Sequence, residues 1–247
     1  EALKVDAEGH TELGRQMLAG GAAFIAALES GETIEAVAFD LDGLMFNTEA
    51  LFFRVARETL EARGGRFTHE MMAAMIGRRA VEAGHVLQTM SGIDADPEEL
   101  LADVRGRYLA VVDDDAAPNA GLMTLLDHLE ELGVPRAVAT SSRRAHADRL
   151  LNGHGIRDRF TFILGSEDVN RGKPEPEIYQ KAAEGFGVRP ECLMVLEDSR
   201  AAVAAARAAG ALVVAVPHEH SAAEGLGLAD LIVPRLDAPA LLARLGR

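Results

Sequence analysis

The chain has 247 residues and carries 39 acidic against 25 basic side chains, a formal charge of −14. That field opposes nucleic acid or anionic membrane as a main partner. Its length suits one large domain or a core domain with an insert, and 48% hydrophobic with 26% charged residues excludes a disordered chain.

Residues 1–32 read as an N-terminal helical extension, with Leu13, Met17, Phe24, Ile25 and Leu28 on one stripe and Gly20 and Gly21 weakening it. Its apolar stretch Met17 to Leu28 is 12 residues long, short of the ~20 that cross a bilayer. It has no basic leader, so a cytoplasmic location is expected. Ile34 to Asp40 is a short apolar run that predicts a buried strand. The next such run ends at Thr140, 100 positions after Asp40, too far for an ordinary crossover. The interval reads as helices over Thr48 to Arg63, Thr68 to Met75, Ala80 to Met90 and Pro97 to Val112. Residues 50–116 are therefore expected to form a helical cap, inserted into a core made of 33–49 and 117–247 and sitting over the end of the first strand.

Beyond the insert, helix and strand alternate. Helices are predicted over Ala120 to Leu132, Arg143 to Asn152, Pro176 to Phe186 and Ser199 to Ala209. Strands are predicted over Arg136 to Thr140, Thr161 to Leu164, Leu193 to Leu196 and Ala211 to Val216. Short apolar strands separated by helices imply an α/β, doubly wound parallel sheet of Rossmann-like form. The single cysteine, Cys192, excludes a disulfide framework and reads as an inert residue at a strand start.

Ligands of such sheets bind outside the carboxyl ends of the strands. Those ends carry Asp40-Leu41-Asp42-Gly43, Thr140-Ser141-Ser142 and Glu197-Asp198-Ser199, and the loop after the third strand runs to Arg171-Gly172-Lys173-Pro174. Lys173 stands out because only Lys4 and Lys181 are also lysine. Four clustered carboxylates repel one another unless a cation neutralises them, and hard oxygen donors favour Mg²⁺. A carboxylate nucleophile can divide a phosphoryl displacement into two steps, and Thr140, Lys173 and the metal would stabilise the developing charge.

The segments FDLDG, ATSS, GKPEPEIY and VLEDS, in this order, resemble the haloacid dehalogenase superfamily, specifically its helical-cap phosphatase and β-phosphoglucomutase-like branch. The resemblance spans roughly Ile34 to Pro217. It implies Asp40 as nucleophile and Asp42 as general acid and then base. Thr140 would bind the transferring phosphoryl group, while Lys173 would stabilise its charge and Asp40. It implies Mg²⁺ held by Asp40, the Asp42 backbone carbonyl and Asp198, with Glu197 in or near the shell. Ser141 is a candidate phosphate contact; Ser142 and Ser199 are read equally well as helix caps. The partner implied is a small phosphorylated metabolite.

Asp42 speaks against a dehalogenase, which has no oxygen leaving group to protonate. Residues 50–116 contain no lysine, which disfavours a phosphonate hydrolase and lowers the sugar-phosphomutase reading. The expected function is thus a Mg²⁺-dependent phosphatase for small sugar or nucleotide phosphates. Its alternatives are a phosphomutase and a non-catalytic phosphate-binding relative. Arg78 and Arg79 are the cap candidates for substrate binding. Asn47 and Ala202 depart from the aspartate and glycine common at these places in the family. His218-x-His220 reads as a solvated loop rather than a metal pair.

Overall fold

The computed structural model describes residues 33–75, 80–218 and 226–245. The expected extension at 1–32, the candidates Arg78 and Arg79, and His220 lie outside these described residues. The chain divides into two compact units, one ending at Phe46 and resuming at Pro118, the other comprising Asn47–Ala117.

The first unit is built on six parallel strands: β1 Ala36–Phe39, β2 Arg136–Ala139, β3 Ile163–Leu164, β4 Leu193–Glu197, β5 Leu212–Ala215 and β6 Leu231–Ile232. Their order is β3-β2-β1-β4-β5-β6, the doubly wound α/β arrangement expected from the sequence. Every residue of β1, β2, β4 and β5 is buried, which explains why these strands are apolar runs rather than alternating ones. β6 was not among the expected strands. With two residues, it offers no periodicity to read.

In the same unit lie α5 (Leu122–Glu131), α6 (Arg144–Gly153), α7 (Glu177–Phe186), α8 (Arg200–Ala208) and α9 (Pro239–Leu245), numbered after the four helices of the other unit. Helix α7 packs on β1 and β2, and α8 on β4 and β5. The buried face of α8 is Ala202, Val203, Ala205 and Ala206. Alanine at 202 puts a good helix former on this packed face.

The chain runs outward from β1 through β2 to β3, then returns to place β4 on the other side of β1. That reversal opens a crevice at the carboxyl ends of β1 and β4. Pairing in register matches Phe39 with Leu196 and Phe39 with Val138, so Asp40 comes level with Glu197 and Ala139.

The second unit holds α1 (Thr48–Glu61), α2 (His69–Met75), α3 (Ala80–Ser91) and α4 (Pro97–Asp115). Its own core includes Ala56, Leu60, Phe67, Met71, Leu87 and Leu100. Helix α4 starts where it does because the Asp96 carboxylate accepts from the Glu98 and Glu99 N–H groups at 2.9 and 3.1 Å, with Pro97 in the first turn. A side chain at Gly84 would come within 2.6 Å of the Pro97 carbonyl, so glycine permits the close approach of α3 to α4. The ends of the unit are joined by a reciprocal pair: the Asn47 N–H donates to Ala117 O at 3.1 Å, and the Ala117 N–H donates to Asn47 Oδ1 at 2.7 Å. Asn47 thus supplies the acceptor that an aspartate would supply. No described helix is long and apolar enough to cross a membrane.

Candidate active site

Asp40 follows the last residue of β1, and its N–H donates to Leu196 O at 3.1 Å, extending the ladder to β4 by one bond. The chain then turns sharply: the Met45 and Phe46 N–H groups both donate to Leu41 O, and the Gly43 N–H donates to Phe46 O. Gly43 has φ +84°, and a Cβ built there would lie 2.4 Å from Asp198 Oδ2. Glycine is required twice over, by the left-handed backbone and by the carboxylate pressed against it. Asn119 fixes the turn from outside, its Nδ2 donating to the Gly43 and Leu44 carbonyls at 2.6 and 2.9 Å.

Lys173 enters from the loop before α7. The Glu177 carboxylate braces that loop by accepting the N–H groups of Asn170 and Arg171 at 3.0 and 2.9 Å. The Lys173 ammonium donates to Asp40 Oδ1 at 2.7 Å, Glu197 Oε1 at 2.6 Å and Ala139 O at 3.1 Å. Its three protons therefore all have acceptors. Tyr179, fully buried on α7, donates its hydroxyl to Glu197 Oε1, while the Asp198 N–H reaches Glu197 Oε2 at 3.2 Å. Both oxygens of Glu197 are thus engaged with protein donors. The His218 ring lies on Asp198, Nε2 to Oδ2 at 2.9 Å, so His218 is a partner of the site and not the solvated loop residue expected.

Asp40, Glu197 and Asp198 are buried and place carboxylate oxygens within 4.8 Å of one another. With all three carboxylates ionised, the set carries a formal charge of −2 against the one ammonium. Burial, aided by repulsion from Glu197, Asp198 and Asp42, pushes the Asp40 carboxyl well above the usual carboxylate range despite Lys173. Burial also raises Glu197, again against the pull of Lys173. For Lys173 itself burial works downward, but the Asp40 and Glu197 carboxylates outweigh it and hold the ammonium well above its ordinary value. Burial, then the Glu197 charge, raises the Tyr179 phenol.

Thr140, at the end of β2, is almost fully buried, and its Oγ1 accepts the Ser142 N–H at 3.0 Å. That bond uses one lone pair of the oxygen and leaves the hydroxyl proton to be given elsewhere. Thr140, Ser141, Gly172 and Lys173 line a cavity of about 190 Å³. Ser142 does not cap α6; its hydroxyl donates to Asp42 Oδ2 at 2.6 Å. Ser199 stands at the start of α8 without a side-chain capping bond. The structure thus brings together Asp40, Asp42, Thr140, Ser141, Lys173, Glu197 and Asp198 at one edge of the sheet. It adds Tyr179 and His218, and it brings Ser142, read from the sequence equally well as a cap, and His146 onto Asp42; the two histidines carried no spacing signal of their own. For Tyr179 a signal was present: it closes the GKPEPEIY segment, and the first turns of α7 carry it back beneath Lys173.

Residues 37–216 match the haloacid dehalogenase-like hydrolase family. The chain belongs to that family. Within it, it falls in the phosphatase and phosphoglucomutase-like branch, and the enzyme class expected from the sequence, a phosphatase of this family, stands. The chain is 34% identical to validoxylamine A 7'-phosphate phosphatase of Streptomyces hygroscopicus subsp. limoneus, over 80% of this chain and 92% of that one. It is 30% identical to protein CbbY of Rhodobacter capsulatus, over 85% and 97% of the two chains. Among solved structures, a HAD family hydrolase from Deinococcus radiodurans R1 with bound phosphate and sodium superposes with a TM-score of 0.68 at 28% identity, covering 87% of this chain and 89% of that one.

Proposed function

We propose that this family member is a Mg²⁺-dependent phosphomonoester hydrolase acting on small sugar or nucleotide phosphates through an aspartyl-phosphate. The observation that carries the reading is the buried Asp40, held by Lys173, within a cluster of carboxylates at the switch point of the sheet. The relatives named as phosphatases support it.

The Asp40, Glu197 and Asp198 set suits Mg²⁺: hard carboxylate oxygens, converging, with a residual charge that a divalent ion cancels. Asp40, Asp198 and the Asp42 backbone carbonyl would hold the ion, with Glu197 behind them because its oxygens already serve Lys173, Tyr179 and the Asp198 N–H. When bound, the ion supplies charge neutralisation for the phosphoryl oxygens and for the carboxylates themselves.

A carboxylate oxygen of Asp40 attacks phosphorus, the ester P–O bond breaks, and Asp42 passes its proton to the departing oxygen. Asp42, now ionised, removes a proton from water; the water oxygen attacks the same phosphorus and the Asp40–phosphorus bond breaks, releasing orthophosphate. Thr140 donates its hydroxyl proton to a phosphoryl oxygen throughout. Lys173, whose protons are committed to protein oxygens, stabilises the group by its fixed positive charge. We assign selectivity for the leaving group to the helical unit 47–117, including Arg78 and Arg79.

The test is a screen of phosphorylated metabolites with Mg²⁺ and with the ion chelated. Sustained phosphate release that stops on chelation is the expected result; isomerisation of a sugar phosphate without net release would select the phosphomutase reading instead. Gly43→Ala gives a structural check. The left-handed backbone costs a Cβ about 1–2 kcal/mol, and the Asp198 carboxylate has to move away from it. Lower thermal stability together with a raised Mg²⁺ requirement for turnover is expected; an unchanged requirement would separate Asp198 from the ion.

A further inference from the structure

Two side chains outside the motifs converge on the carboxylate of Asp42. The Ser142 hydroxyl donates to Oδ2 at 2.6 Å, and His146 Nε2 lies 3.4 Å from Oδ1, to which it donates in the tautomer protonated at Nε2. The two reach Asp42 from adjacent places, because Ser142 lies in the loop after β2 and His146 lies four residues on, in the first turn of α6. Ser142 is itself fixed by its N–H bond to Thr140. The His146 side chain is 15% exposed and that of Asp42 27%, so solvent competes only partly for these bonds.

Resting on the phosphatase reading, we propose that Ser142 and His146 are positioning residues that hold the Asp42 carboxylate in the orientation from which it delivers and recovers the proton. Neither touches the reacting atoms. Asp42 follows β1 on a turn made around glycine, and a carboxylate on a short side chain has two rotatable bonds. A donor on each oxygen fixes both rotations. Ser142 is the stronger hold by its shorter distance, and His146 sets the plane of the carboxylate from the other side. The arrangement also links the acid to the phosphoryl contact, since Asp42, Ser142 and Thr140 form one chain of hydrogen bonds.

A positioned general acid contributes roughly 10²- to 10⁴-fold, and only where the leaving oxygen needs a proton. The experiment therefore compares two esters on the Mg²⁺-loaded full chain: β-glycerophosphate, whose alkoxide cannot leave unprotonated, and p-nitrophenyl phosphate, whose phenolate can. For Ser142→Ala the ratio of kcat on the alkyl ester to kcat on the aryl ester should fall about 10- to 100-fold, a part of the full general-acid effect. His146→Ala should lower the same ratio by a smaller factor. Ser142→Thr and His146→Gln, which keep a donor, should restore most of it. Equal losses on the two esters, or an unchanged ratio in both alanine variants, would overturn the proposal while leaving the phosphatase reading intact. His146→Ala keeps the question open to refutation should Ser142→Ala not fold. A parent that releases phosphate from neither ester nor from any phosphorylated metabolite of the screen would overturn the phosphatase reading, and this proposal with it.

Discussion

Asp40→Asn is expected to fold like the parent and to lose phosphate release by roughly four orders of magnitude or more, the scale of removing a nucleophile. Folding is preserved because the new amide still presents an oxygen to Lys173 where Asp40 Oδ1 accepts at 2.7 Å. Activity is lost because an amide oxygen is too weakly nucleophilic to displace an alkoxide from phosphorus. Acid-quenched parent should carry a phosphoryl group on the peptide containing Asp40, and the variant should carry none. A variant that releases phosphate as fast as the parent would remove Asp40 from the chemistry altogether. The role would then have to pass to a different carboxylate of the cluster.

The largest effect on stability is expected from Lys173→Met. Methionine has nearly the length of lysine and no charge, so the substitution deletes the ammonium with little change in volume. It strands the Asp40 and Glu197 carboxylates in the interior and removes a donor from Ala139 O. Breaking a buried charge pair from one side costs about 3–5 kcal/mol, and at about 2–4 °C per kcal/mol for a domain of this size the melting point should fall by roughly 6–20 °C. Because the folded protein holds the ammonium above its ordinary value of 10.5, the parent's share of this stability is present throughout the range below 10.5. It is lost only as pH rises through the elevated value. The variant behaves oppositely: its buried carboxyls bind protons more tightly than in the unfolded chain, so it regains stability as pH falls. The deficit should therefore be widest near neutrality, narrow in acid, and shrink when Mg²⁺ is added. Melting curves with and without the ion, over a pH series, decide it; a deficit independent of both would mean that packing rather than charge holds Lys173.

Much of this arrangement was open to reading from the chain alone, for a physical reason. Parallel strands buried on both faces must be short apolar runs, and chemistry on such a sheet must sit where those runs end. Asp40, Asp42, Thr140, Glu197 and Asp198 each stand at such an end, and Lys173 lies on the loop that follows β3, so knowing the strands was enough to gather them. What escaped notice lacks either property. Strand β6 is too short to show a period. His218 and His146 are single histidines in a loop and a helix, and their contacts with Asp198 and Asp42 depend on tertiary folding across 20 and 104 positions. Ser142 shares its local pattern with any serine preceding a helix, and only the tertiary fold diverts it from a cap to Asp42. The commitment of Glu197 to Lys173 and Tyr179 was equally hidden, since an acidic residue beside Asp198 looks the same whether it faces an ion or a lysine.

The paired bonds between Asn47 and Ala117 bear on how such a protein changes over generations. The 71 residues from Asn47 to Ala117 lie between the two partners of this clasp. Lengthening, shortening or replacing what hangs from it need not disturb a single rung of the sheet. Selection can thus rework the part we hold responsible for choosing among substrates while the bond-breaking apparatus is inherited untouched. A graft of a foreign helical segment between these two residues is the engineering counterpart of that freedom.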